Sequence, residues 1–124
     1  FPYTTLFRSD IVMSNQVTAT LKYALLSDKK MNLIASLVRG KKVVKALDML
    51  EFMPKKGART LHKLIKSAAA NAVNNNSLNL DDLFVERIEV GRGPKIKRVR
   101  FVSRSRISHY EKYRSYVKVV LNTK

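Results

Sequence analysis

A chain that sets nine basic side chains against one acid between Gly91 and Ser115, reading GRGPKIKRVRFVSRSRISHYEKYRS, cannot bury that stretch in an ordinary core. The cations are Arg92, Lys95, Lys97, Arg98, Arg100, Arg104, Arg106, Lys112 and Arg114, and the acid is Glu111. Between them lie Ile96, Val99, Phe101, Val102, Ile107, Tyr110 and Tyr113, residue types that favour extended chain. The pattern predicts a hairpin, and either face of it would strand unpaired charge if buried in protein. Such an arm needs a polyanionic partner. With Lys95 to Arg104 running out and Ile107 to Tyr116 returning, roughly ten residues per strand at about 3.3 Å each reach about 30 Å. A domain of about 100 residues has a radius of gyration of only about 13 Å, so the arm should stand clear of the body. An isolated two-stranded ribbon is marginal in water, so the arm is expected to be flexible when free and ordered by what it binds.

The rest of the composition supports that reading. The formal net charge of +16 over 124 residues, with a pI near 10.4, signals a nucleic-acid or anionic-membrane partner. No apolar run approaches the roughly 20 residues that a membrane span requires. An interfacial basic helix stays open, although the charge peaks in a strand-like stretch. Nucleic acid leads. The absence of cysteine excludes a disulfide framework and a thiolate metal site, and fits a cytosolic or organelle-matrix protein.

Phe1 to Ser9, FPYTTLFRS, reads as the in-frame translation of a common sequencing adapter, so residues 1–12 are expected to be a non-native extension. Met13 would then be the natural start, leaving 124 − 12 = 112 residues, and the net charge is unchanged because Arg8 and Asp10 cancel. The alternative is a disordered natural N-terminus. Residues 13–124 are expected to form one domain, with the arm at about 91–115.

Gln16 to Leu25 alternates, placing Val17, Ala19, Leu21, Tyr23 and Leu25 on one face of a strand. Ser27 offers a helix N-cap, Asp28 a first-turn negative charge and Gly40 a C-terminal stop. Between them Met31, Ile34, Leu37 and Val38, widened by Leu33, form the apolar stripe of a first helix. Val43, Ala46, Leu47 and Leu50 repeat the spacing over Val43 to Leu50. Pro54 closes that helix and can open the next at its first position. From Lys55 to Asn75, Leu61, Leu64, Ile65, Ala68, Ala69, Ala72 and Val73 share one stripe, and the alanines imply close approach to a neighbour. Lys55, Lys56, Arg59, Lys63 and Lys66 crowd the end of this helix that disfavours cations, so they meet an external anion or the helix bears a modest penalty. A merely solvated face is the simpler account of a charge run alone.

Asn74 to Ser77 makes a polar break, and Asp81-Asp82, with no third ligand nearby, reads as turn chemistry. Leu83 to Val90 reads as a strand leading through Gly91, Gly93 and Pro94 into the arm, where a bend or bulge is expected. Tyr116, Val117, Val119, Val120 and Leu121 are apolar enough for the return strand to re-enter the sheet. The order of strand, three helices, strand, arm and strand predicts an α+β fold. A small antiparallel sheet would pack with the three helices, and a long basic β-hairpin would protrude.

No catalytic constellation is present. The chain lacks the P-loop, dinucleotide-binding, HExxH and CxxC patterns. His62 reads as a packing or solvent contact on the long helix, and His109, in the arm, as a base-stacking or RNA contact. Ser103, Ser105 and Ser108 sit near His109 with only Glu111 to orient it, which does not make a nucleophilic site. No cofactor, metal or small-molecule substrate is expected, and a nuclease is the disfavoured third class.

LVRGKKVVKALDML at Leu37 to Leu50, SAAANAVNN at Ser67 to Asn75, GPKIKRV at Gly93 to Val99 and VKVVL at Val117 to Leu121 together resemble the bacterial-type large-subunit ribosomal protein L-twenty-two family. The similarity runs from about Val17 to the end. The resemblance implies an α+β body on the outer surface of the large subunit, bound to large-subunit ribosomal RNA and beside neighbouring ribosomal proteins. A hairpin would thread inward to line the nascent-polypeptide exit tunnel opposite an extension of ribosomal protein L-four. By position, Lys97 and Arg98 fall where family changes alter macrolide response, and Val102, Ser103, Arg104, Ser105, Arg106 and Ile107 fall at the tip. Lys29, Lys30, Arg39, Lys41 and Lys42 match the family's basic positions around the first helix, which implies RNA contact. The setting implied is the cytoplasmic ribosome of a bacterium or an organellar ribosome.

Two departures carry expectations of their own. The family tip usually reads as PRA, a basic residue, then GR, whereas here Phe101 to Arg106 has neither proline nor glycine. A left-handed turn is costly without glycine, so a wider or displaced tip is expected. Asn32 follows Met31 where the family usually has arginine, implying one phosphate contact fewer. On composition alone, a sequence-nonspecific nucleic-acid binder outside the ribosome is the rival.

Overall fold

The computed structural model describes residues 16–123, so the expected non-native extension and Met13 lie outside the described residues. The elements run β1 (Val17–Ala24), α1 (Asp28–Val38), α2 (Val43–Glu51), α3 (Lys56–Asn76), a 3-10 turn at Leu80–Asp82, β2 (Leu83–Arg92), β3 (Ile96–Val102), β4 (Arg106–Lys112) and β5 (Ser115–Thr123). The fold is α+β, as expected. β5 is the centre of a three-stranded antiparallel sheet in the order β1-β5-β2, and β3 and β4 form a separate two-stranded ribbon.

Helix α3 lies across β1 and β5 while α1 packs on β2. The core between them holds Met31, Val38, Leu50, Leu61, Ile65, Val85 and Leu121, all essentially inaccessible to solvent. Gly57 belongs to the same contact, since a Cβ there would come within 2.5 Å of Leu26 Cδ2 and 2.7 Å of Ile34 Cδ1. This is the close approach the alanines implied, found also about three turns earlier, at the start of the helix.

Two bulges decide which side chains enter that core. In β2, Val85 lies opposite Leu121 and Arg87 opposite Val120, so Glu86 is an extra residue. Were Glu86 paired regularly and the bulge absent, strict alternation after Leu83 and Val85 would turn Arg87 inward; with the bulge Ile88 takes the core position. In β1 the register shifts between Leu21 and Ala24. Ala24 is therefore buried, and Tyr23 and Leu25, expected on the buried face, are exposed.

The helix ends also differ in detail from the sequence expectations. Ser27 occupies the N-cap of α1 but its side chain makes no capping bond. Ala35 takes the core position expected of Leu37, and both Leu33 and Leu37 are exposed. Val73 is likewise exposed on α3. Lys55, not Pro54, precedes the first turn of α3, so proline stands one residue outside the helix. Gly40 has φ of +78° and donates its N–H to Val85 O at 2.9 Å, while Val85 N–H donates to Lys41 O at 2.8 Å. The corner between α1 and α2 is thereby tied to the edge of β2. Asp81 belongs to the 3-10 turn, its N–H donating to Asn79 Oδ1.

Candidate nucleic-acid interface

The ribbon pairs seven residues on each side, from Ile96 opposite Lys112 to Val102 opposite Arg106. At about 3.3 Å per residue that projects roughly 23 Å, short of the reach expected from the sequence. The difference lies at both ends: Ser103 and Arg104 are taken into the turn, and at the return Tyr113 and Arg114 leave the ribbon while Tyr116 is already part of β5, opposite Gly91. Core burial of Ser115 and Val117 draws that end back into the body.

The tip is tight, not wide. Ser103 to Ser105 make the turn, Arg104 and Ser105 have φ of +61° and +60°, and Arg106 N–H donates to Ser103 O at 3.4 Å. Consecutive positive φ values match the twist of a hairpin. Without glycine, each costs about 1–2 kcal/mol.

Register sorts the arm's side chains onto two unlike faces, because residues directly opposite in an antiparallel pair point the same way. One face carries Arg98, Arg100, Arg106 and Lys112 with Ile96, Val102, Ser108 and Tyr110. Here the Arg100 guanidinium lies 5.1 Å from the centre of the Tyr110 ring. The opposite face carries Val99, Phe101, Ile107 and His109, and its strand charges are Lys97 and the directly opposed Glu111. The first face is strongly cationic; the second is nearly neutral and apolar. No sequence pattern announced that split, because it depends on which residue pairs with which.

The arm root gathers further cations. A cleft of roughly 440 Å³ is lined by Asp28, Lys29 and Lys30 from α1 and by Arg92, Lys95 and Arg114 from the root, with Tyr113 and Gly93. Arg92 Nε is 3.4 Å from Asp28 Oδ2. Lys95 Nζ lies 3.7 Å from Glu111 Oε2 and 5.3 Å from the Tyr113 ring centre. Gly93 N–H donates to Arg114 O at 2.9 Å, and a Cβ at Gly93 would come to 3.0 Å from the Arg114 backbone. A neighbouring hollow adds Lys56 and Lys112 to Lys30 and Arg114. Lys56 was legible only as part of the crowded first half of α3.

Other cations lie apart from this cleft. Lys41 and Lys42 sit on the corner against β2. Arg39 is held by the protein itself: its Nε and Nη2 donate to Ile88 O at 3.2 and 2.7 Å, and Nη2 donates to Asn32 Oδ1 at 2.8 Å. Asn32, where arginine was expected from the resemblance, thus serves to orient Arg39. His62 lines a separate surface hollow with Lys55, Arg59 and Lys63. Among the described residues there is no cluster of three or more side chains suited to hold a metal ion. No helix among them is long and apolar enough to cross a membrane.

The family model for "Ribosomal protein L22p/L17e" matches residues 19–122. The "Large ribosomal subunit protein uL22" of Caldicellulosiruptor saccharolyticus is 43% identical over 106 residues, covering 86% of this chain and 87% of that protein. The protein of the same name from Syntrophobacter fumaroxidans is 41% identical over 109 residues, covering 88% and 99%. That of Ligilactobacillus salivarius is 39% identical over 115 residues, covering 90% and 100%.

Proposed function

The chain belongs to the ribosomal protein L22p/L17e family, and from that premise we propose that it is a structural constituent of the large ribosomal subunit. It binds large-subunit ribosomal RNA, supports the subunit's assembly and lines the nascent-polypeptide exit path with its arm. The observation that carries the RNA reading is a ribbon with both faces in solvent and four cations on one of them. Lysines and arginines displace counterions from phosphates, and the aromatic side chains stack on bases or fill grooves.

RNA contact is assigned to Arg98, Arg100, Arg106 and Lys112 along the cationic face, to Arg104 at the tip and to Lys29, Lys30, Arg92, Lys95 and Arg114 at the root. Lys41 and Lys42 extend the surface at the α1–α2 corner, Lys97 adds to it beside Glu111, and Arg39 offers only the donors that Ile88 and Asn32 leave over. Val102 to Ile107 form the part that meets the exit path, with neighbouring ribosomal proteins around the body. The setting is a ribosome, and the relatives named above are bacterial.

The family is structural and not enzymatic. A sequence-nonspecific binder outside the ribosome would share the charge, but nothing would require its match to the family to extend from body to arm. Depletion of the protein in its own cell tests the proposal: large-subunit particles should fall relative to small subunits and be restored by the intact chain. Unchanged large-subunit profiles after depletion would contradict it.

A further inference from the structure

We infer that the arm root is a hinge operated by RNA phosphates: an RNA backbone seated between the start of α1 and the root fixes the direction in which the arm points. This rests on the RNA-binding reading and goes beyond it, since it gives the root cations a role other than affinity.

The ribbon's own strands do not set its direction. β3 and β4 pair with each other and neither packs extensively on a body element. Two short links join them to the sheet, 93–95 on the way out and 113–114 on the way back, bridged by the backbone bond from Gly93 to Arg114. A two-stranded junction of this kind bends readily, since there is no third strand to stiffen it.

The cleft spans that junction. Lys29, Lys30 and Arg92, the last residue of β2, belong to the body, whereas Lys95 and Arg114 belong to the links that lead into the arm. Asp28 is the one acid lining the cleft and already faces Arg92. Arg92 is paired with Asp28 and Lys95 with Glu111, so Lys29 and Lys30 on α1 face Arg114 on the return link as like charges, which opposes closure of the arm toward α1. A phosphate between the two groups reverses the sign of that interaction and draws them together, and two successive phosphates of one strand can engage both at once. The first turn of α1 adds N–H donors that the Ser27 hydroxyl does not cap. The occupant is an RNA backbone and not a nucleobase, because the cleft offers charge and N–H donors with Tyr113 as the only ring among the described residues that line it.

The chain contains no cysteine, so a labelled pair is introduced cleanly. Spin labels at Ser67→Cys on α3 and Val99→Cys on the neutral face of the arm report the body-to-arm distance in the full chain by pulsed electron resonance. The probe is large-subunit ribosomal RNA of Caldicellulosiruptor saccharolyticus. RNA binding should narrow the distance distribution at least twofold. The variant Lys29→Ala/Lys30→Ala/Arg114→Ala should still bind through the cationic face but keep the width of the free protein, and Lys29→Arg/Lys30→Arg/Arg114→Lys should narrow like the parent. Equal narrowing in the alanine variant, or RNA binding by the parent without narrowing, overturns the hinge while leaving the RNA reading intact. No RNA preference in the parent overturns both.

Discussion

On β5, Val117, Val119, Val120 and Leu121 are at most 1% exposed, whereas on the ribbon Val99 is 53%, Ile107 54% and Phe101 80% exposed. The residue types are alike and so is the extended backbone; the surroundings differ. β5 has a paired strand on each side and helices over its face, while β3 and β4 have only each other. A body that buries its apolar side chains accounts for its own stability. The arm does not, and its four-cation face shows which kind of partner would complete it. Anchoring and reaching are thus separate tasks carried by separate parts of one short chain.

That separation can be broken from either side. The largest effect should come from the body: Ile88→Asp, at the core position reached through the bulge, buries an unpaired charge and should cost several kcal/mol, about 3 or more, in denaturant unfolding. Leu61→Ala, at a fully buried position on α3, should cost about 2–5 kcal/mol by the same measurement. In contrast, deleting Ile96 to Arg98 should leave the body's thermal transition in place, because the ribbon adds little to the core. Loss of that transition would show that arm and body are one cooperative unit.

Smaller changes sharpen the comparison. Arg98→Ala/Arg100→Ala/Arg106→Ala should leave unfolding within about 0.5 kcal/mol of the parent, yet lower the salt dependence of RNA binding by roughly one unit of slope per cation removed. Replacing Arg104 and Ser105 with glycine relieves two positive φ values and should stabilise the ribbon by about 1 kcal/mol, read as slower amide exchange in β3 and β4 with an unchanged body. Ser115 is buried at the point where the arm re-enters the sheet, and its hydroxyl has no hydrogen-bond partner among the described residues. Ser115→Ala should therefore raise body stability, by up to about 1 kcal/mol.

Much of this organisation was legible in the chain. The stripe through Leu61, Leu64, Ile65, Ala68 and Ala72 needs only the helical period to be seen, and Gly40 marks its turn with a positive φ that glycine adopts freely. The run of cations after Gly91 identified the arm for a similarly local reason. What escaped was set by distant partners. The burial of Ala24 in place of Tyr23, and of Ile88 in place of Arg87, follows from bulges against β5, which lies far along the chain. Gly57 gave no local sign of its role because the side chains that crowd it, Leu26 and Ile34, come from before and within α1. The two faces of the arm needed the pairing register, and the root cleft needed α1 to be brought beside Arg92.

The central claim, that this arm and its root read ribosomal RNA and not polyanions in general, is tested most directly by competition. The chain is bound to large-subunit ribosomal RNA and challenged with excess unrelated structured RNA across a salt series, since every basic protein binds at low ionic strength. Retention of the ribosomal RNA near physiological salt is the predicted result. Equal displacement by either RNA would contradict the account and favour a sequence-nonspecific binder.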